Sequence, residues 1–467
     1  MLGELAERDD LSARQIRELV DRGGSAIAIG LLRRGRLAPA DIPRADVRVV
    51  ITAVEEGTLS ADLIADAVHH RDPAIRAALA ECPDLPRRLL ALLAGDPDVE
   101  VAEAAALSPA LTDEVAATLA GHPHLAVRRG LAANDRTPPH ILAAVATDSG
   151  VRWCFGCDGS QNPRPGMACA GTHEDAVWDL HYALAANDAT PAPTAAIFAD
   201  HRSAVVRRNL AARTDQTDAI YQWLAADLVP GVRAETAGNP AISEALIRTM
   251  ADDRTHDVQR RLVRNPAVPL DVLQALTTVT RIGPGPVPRI AIATAGELEV
   301  LARSPNPIVR MLVAERRDLP PHLVDLLAGD PDAKVLKSLA PNPMLTERQL
   351  RAMLTEHGVR TAARIATNPN CPPALLDDLA IHRPRVQKVY RAIATHPNAT
   401  ARALLHCLDD PQARPLAARH PALPTDVLVT LLDDPESRVA ESAAANPSLP
   451  GSVVRSILDR LDPPRET

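Results

Sequence analysis

CPDLPRRLLALLAGDPDVEVAEAAALSPALT, residues 82–112, holds one full period of the chain and the opening of the next. It begins with a five-residue phrase, CPDLP at Cys82, and ends with its counterpart SPALT at Ser108, 26 residues on. Between them PRRLLALLAGD (86–96) repeats Leu at helical spacing, with Pro86 where a first-turn Pro belongs. Asp96-Pro97 breaks that helix, and here Asp can cap and Pro can start a second one. The second helix runs barely two turns before the next Pro stops it. One period therefore reads as two short helices and two turns.

The phrase returns along most of the chain. It reads NDRTP at Asn134, NDATP at Asn187, RTDQT at Arg213, NPAIS at Asn239 and NPAVP at Asn265. It continues as RRDLP at Arg316, NPMLT at Asn342, NPNCP at Asn368, HPNAT at His396, HPALP at His420 and NPSLP at Asn446. Most steps are 26 residues; 265 to 316 spans two periods with a degenerate phrase near Ala291, and 134 to 187 holds one period plus 27 extra residues. Weaker phrases fall near residues 8, 34 and 56, so about 17 repeats and one insertion account for the whole chain. Thr346 with Gln349 reads as a capping box.

Helices this short are marginal alone and must be held by stacking on their neighbours. Aromatics are only 2 % of the 467 residues while AVILMFWYC reach 46 %, so the core is built from Ala, Leu and Val. The expected fold is all-α: a right-handed α-solenoid of about 17 short two-helix repeats with one Cys-rich loop insertion. The expected organisation is N-terminal repeats over 1–148, the insertion over 149–175, and C-terminal repeats over 176–467, as one continuous solenoid.

The run N-P-x-L-P, then LLxxLAxDP, then VRxxLAxN resembles the leucine-rich repeat variant family over nearly the whole chain, with HEAT-like repeats the nearest confusable class. The resemblance implies repeats pairing an α-helix with a short, often 3₁₀, helix, and a surface for interaction rather than a reaction. Some members carry a cysteine-rich iron–sulfur module, placed before the repeats and not inside them.

The insertion has other chemistry. SGVRWCFGCDGSQNPRPGMACAGTHE (149–174) is rich in Gly and Pro and poor in aliphatic residues, so it needs a staple to order itself. Cys154 and Cys157 form C-x₂-C, Cys169 follows after eleven residues and His173 after three more. C-x₂-C-x₁₁-C-x₃-H supplies Cys₃His for a closed, structural zinc site. A 4Fe-4S cluster is the alternative metal, although such clusters usually take four Cys and only three are local. A loop with incidental Cys residues is the third reading. The other three cysteines, Cys82, Cys371 and Cys407, are isolated, a usage that fits a reducing cytosol.

Seven of the eight aromatics lie between 153 and 223, among them Trp153, Phe155, Trp178 and Tyr182. They either anchor a partner or seal the insertion against the repeats. Six residues before the phrase, the second helix often carries Arg: Arg76, Arg128, Arg207, Arg233, Arg310 and Arg414, with His181 in that register beside the insertion. Stacked, they form a basic stripe for acidic protein segments or phosphates, unless each pairs with the Asp of a neighbouring Asp-Pro break. The recurring Asn reads as a turn residue bonding backbone between repeats.

The start MLGELAERDD has no secretory pattern and no run of 18 apolar residues exists, which leads us to expect a cytoplasmic protein without a membrane span. The net charge of −8 argues against general nucleic-acid binding, and no nucleotide-loop, nucleophile-elbow or zinc-protease motif is present. The reading is a non-enzymatic protein–protein interaction scaffold or adaptor with a structural zinc loop. An iron–sulfur redox-sensing adaptor and a nucleic-acid-binding solenoid using the Arg stripe are its alternatives.

Overall fold

A computed structural model describes residues 6, 13–58, 60–147, 174–283 and 285–453. Among the described residues the chain is helical, without a strand, and it divides into two units, Met1–Arg261 and Leu262–Thr467. The first holds α1 (Ala13–Arg33), α2 (Val47–Glu55), α3 (Ala61–Val68), α4 (Pro73–Ala80), α5 (Arg87–Ala94), α6 (Val99–Leu107), α7 (Asp113–Ala120) and α8 (Leu125–Ala133). It continues with α9 (Pro139–Thr147), α10 (Glu174–Ala186), α11 (Ala192–Ala195), α12 (Ala204–Ala212), α13 (Asp218–Ala225), α14 (Pro230–Gly238) and α15 (Glu244–Met250). The division falls within α16 (His256–Arg264). The second unit holds α17 (Leu270–Val279), α18 (Pro288–Ala291), α19 (Ala295–Ala302), α20 (Pro307–Ala314), α21 (Pro321–Ala328), α22 (Ala333–Leu339) and α23 (Glu347–His357). After these come α24 (Val359–Ile365), α25 (Pro373–Ile381), α26 (Gln387–Ala394), α27 (Ala401–Cys407), α28 (Arg414–Ala418), α29 (Thr425–Leu431) and α30 (Ser437–Ala444).

Each unit is a solenoid-like stack of helix pairs. Second helices pack on one another in a row, α4 on α6, α6 on α8, α8 on α10 and α10 on α12 in the first unit. In the second unit α20, α22, α24, α26, α28 and α30 do the same. Such a helix is enclosed on several sides, so its sequence is apolar nearly all round: Val101, Ala102, Ala104, Ala105 and Ala106 of α6 are all buried. Ala lets neighbours approach closely, and at one point even Ala is too large. A Cβ on Gly130 of α8 would lie 2.9 Å from the Ala106 Cβ and 3.1 Å from the Glu103 carbonyl oxygen. The second helices are α-helical over 7–9 residues where fully formed, as in α6, α8 and α22. Among the described residues 3₁₀ geometry is confined to Pro39–Asp41 and Ala196–Phe198.

The first residue of the phrase joins successive repeats. Its side chain donates to the carbonyl of the corresponding residue one repeat earlier: Asn134 to Ser108, Asn239 to Arg213, Asn342 to Arg316, Asn368 to Asn342 and Asn446 to His420. Where Asn is replaced, the substitute keeps the bond, through His396 Nε2 to Asn368 O and His420 Nε2 to His396 O. Arg213 reaches the Asn187 carbonyl by its guanidinium. The Asn oxygen accepts the N–H two residues on, as at Arg136, Ala241 and Asn370, closing the turn that starts the next helix.

The Asp-Pro breaks behave differently from the simple cap expected of them. Asp72 does cap α4, with Pro73 in its first turn. At 96–97 and 330–331, however, the caps are Asp98 and Asp332, two residues later. Asp96 and Asp330 instead accept the N–H of Asp98 and Asp332 and keep their remaining oxygen capacity for an Arg. The capping box of Thr346 and Gln349 is present on α23.

Candidate functional site

The insertion leaves after α9 and the chain returns at α10. Asn187 donates to the carbonyls of Ala132 and Asn134 at 2.8 and 3.1 Å, so the repeats on either side of the insertion are direct neighbours in one unit. Cys154, Cys157, Cys169 and His173 lie outside the described residues, as do Trp153 and Phe155. Among the described residues no group of three His, Cys, Asp or Glu side chains is placed to hold a metal ion. Cys371 and Cys407 are buried in the second unit, where burial pushes both thiols up to about 12.

The described aromatics split between sealing and projecting. Phe198 and Tyr221 are buried, and the Tyr221 hydroxyl donates to the Arg213 carbonyl at 2.7 Å. Trp178 is half-buried, its ring edge-on to His201 with centroids 6.3 Å apart. Tyr182, one turn along α10, is 47 % exposed, and Trp223 on α13 is 62 % exposed.

Trp178, His181 and Tyr182 share α10, and His181 meets a partner the sequence reading missed. His181 Nδ1 lies 3.1 Å from His201 Nε2. His201 Nδ1 accepts the Ser203 N–H, so the His201 Nε2 carries the proton and donates to His181. The signal was there: His201 stands 20 residues after His181, the register in which Asp96 follows Arg76. Burial and the His201 charge lower the His181 pKa. For His201 burial lowers it, the Ser203 bond and Asp200 oppose, and Arg207 lowers it. With folded pKa values below the unfolded 6.5, the unfolded chain binds more protons as the solution is acidified, so stability falls as pH drops below about 6.5. We expect this loss between pH 7 and 5 to shrink in His181→Arg/His201→Asp, which restores the Arg–Asp pair of other repeats. Urea denaturation at both pH values checks it; equal slopes in both proteins would count against the pair.

The stripe arginines are engaged inside the stack. Arg76, Arg207, Arg233 and Arg310 contact Asp96, Asp227, Asp253 and Asp330, each 20 residues on, at 2.6–2.7 Å from Nε. A second arm of each bonds the carbonyl six residues before it, as Arg233 does with Asp227 O. Arg414 pairs with Asp434. Arg128 is 2 % exposed and its Nε donates to the His122 carbonyl at 2.7 Å. These are internal rungs rather than open cations.

What does lie open is a groove of about 580 Å³ between α6, α8 and α10, the last being the helix at which the chain returns from the insertion. Leu107, 41 % exposed, and Tyr182 supply apolar walls. Glu103, Asp135 and Asp179 edge it with carboxylates, of which Glu103 is paired with Arg129. No helix among the described residues is long and apolar enough to cross a membrane. In comparisons with known proteins, no family model and no curated sequence matches the chain.

Proposed function

We propose that the chain is a non-enzymatic, cytoplasmic repeat scaffold of the leucine-rich repeat variant type, which binds another protein at the α8–α10 groove. One observation carries the reading: two large apolar side chains, Tyr182 and Leu107, are left exposed across a groove with a surplus of carboxylates. Exposed aromatics framed by charge are the usual anchors of recognition. The fitting partner segment carries an apolar side chain for the wall and a Lys or Arg for Asp135 and Asp179. Trp153, Phe155 and Trp178 are proposed as further partner contacts, and Arg128, Arg207 and Arg233 as residues that hold the stacked repeats together. Engagement of these arginines in rungs weighs against phosphate-backbone binding along a stripe.

Cys154, Cys157, Cys169 and His173 would hold a structural zinc that orders the insertion. Mass-spectrometric metal content of anaerobically purified protein is expected to show about one zinc per chain, lost in Cys154→Ser/Cys157→Ser. Iron with matching sulfide would shift the reading to the iron–sulfur adaptor. The binding reading is tested by parallel capture on immobilised wild type and Leu107→Asp/Tyr182→Asp. The expected result is a protein retained by the first and lost from the second, with unchanged helical circular dichroism. Equal retention would end it, as would salt-sensitive retention of DNA alone.

A further inference from the structure

The second unit contains a cavity that the repeat pattern does not explain. α18 is a single turn of four residues where second helices normally run 7–9. The cause is local: GPGPVP (283–288) removes backbone donors and supplies two glycines where the helix should start. The missing turns open a cavity of about 670 Å³ against α20, α22 and α24.

Its lining departs from the rest of the chain. Of the 51 basic residues only Lys334, Lys337 and Lys388 are lysines, and two of the three line this one cavity. Arg281 and Arg364 join them, and Glu315 is the single carboxylate. Among the described residues Lys334, Lys337 and Arg281 form no ion pair, unlike the rung arginines. Glu315 is the second, independent anomaly. It ends the row position occupied by Leu107 in α6 and by Ala133 in α8. It lies just past the C-terminus of α20, where the helix dipole opposes a negative charge. Its side chain is 8 % exposed, and Oε1 is buried with no hydrogen-bond partner. Oε2 is 3.8 and 3.9 Å from the guanidinium nitrogens of Arg364 and Arg317, beyond hydrogen-bond reach. A buried acceptor left without a donor costs about 1–3 kcal/mol, so its retention points to a ligand that supplies one.

We propose that this cavity binds a small organic phosphate whose body carries hydroxyl or amino groups. Four cations against one carboxylate suit a dianion, and lysines suit phosphate as point charges. Glu315 Oε1 then accepts from the hydroxyl or amino group, while the cations hold the phosphate. The volume lies in the range of ordinary small-molecule sites.

Calorimetric titration of the full chain with ADP, ribose 5-phosphate and pyrophosphate tests it. At least one organic phosphate is expected to bind one to one, and Lys334→Ala/Lys337→Ala to weaken it about 100-fold. Glu315→Leu is expected to weaken the organic phosphate about tenfold and leave pyrophosphate as tight or tighter. Circular dichroism checks that both variants fold. Absence of saturable binding by all three probes overturns the proposal. Binding that ignores the lysine variant, or an organic phosphate indifferent to Glu315→Leu, overturns it equally.

Discussion

Asn368→Ala is expected to destabilise the second unit by about 3 kcal/mol, because one amide closes three backbone bonds at once. Asn368 is fully buried. Its Nδ2 donates to the carbonyls of Ala340 and Asn342, both at 2.7 Å, and its Oδ1 accepts the Asn370 N–H at 2.9 Å. Alanine leaves two carbonyls and one N–H short of a partner where water cannot readily enter. The position also sits inside a relay: His396 donates to the Asn368 carbonyl, His420 to that of His396, and Asn446 to that of His420. In a stack stabilised by nearest neighbours, losing one junction weakens the coupling of the repeats on both sides. Asn368→His provides the control. The chain itself places His at 396 and 420 with one ring nitrogen donating across the repeat and the other accepting from residue i+2. That variant should lose only about 1 kcal/mol, having one cross-repeat bond in place of two. Urea denaturation followed by helical circular dichroism reads both. Equal losses for Ala and His would mean that side-chain volume, and not the bond, is what the position supplies.

The repeat was legible because its signals are local. Phrase spacing, Pro positions and Leu periodicity report the turn and helix chemistry of a single period, and the 26-residue step then sets which residues stack. The junction role of Asn was legible for the same reason, since a short amide before a turn has few other partners. The Arg–Asp rung was legible as the alternative to an open stripe, because Arg recurs visibly and an Asp stands in a neighbouring break; the 20-residue register that pairs them was not read. The His181–His201 pair follows from that same 20-residue register, with both members changed together. Two features escaped because they are departures from the repeat and not instances of it. The groove beside α10 depends on which side of Tyr182 faces out, which composition does not report. The cavity beside α18 depends on helix turns that GPGPVP prevents from forming, and on a carboxylate at Glu315 that only its surroundings make unusual.

Asp227→Ala should destabilise the first unit by about 3–5 kcal/mol, the range for stranding one member of a buried charge pair. The Asp227 side chain is 6 % exposed and that of Arg207 is 13 % exposed. The carboxylate receives Arg207 Nε at 2.6 Å, Arg207 Nη2 at 3.0 Å and the Val229 N–H at 2.7 Å. Removing it leaves a guanidinium held in place by carbonyls but without its counter-charge. Replacing both partners should cost less than the sum of the single losses, since Arg207→Ala/Asp227→Ala leaves no unpaired charge behind. Acid tests the same bond without a mutation. Burial raises the Asp227 pKa, but the Arg207 guanidinium, the Val229 N–H and the nearby Arg233 charge outweigh it and hold the carboxyl below its usual 3.8. Asp96 and Asp253 are lowered in the same way, each by its own arginine against the effect of burial. A depressed folded pKa means that the unfolded chain takes up protons first, so the contribution is complete above the unfolded value and drains away as pH falls through and below it. Stability should therefore fall steeply below about pH 4 in the wild type and less steeply in Asp227→Asn. Matching acid slopes would show that the rung contributes packing without a net electrostatic term.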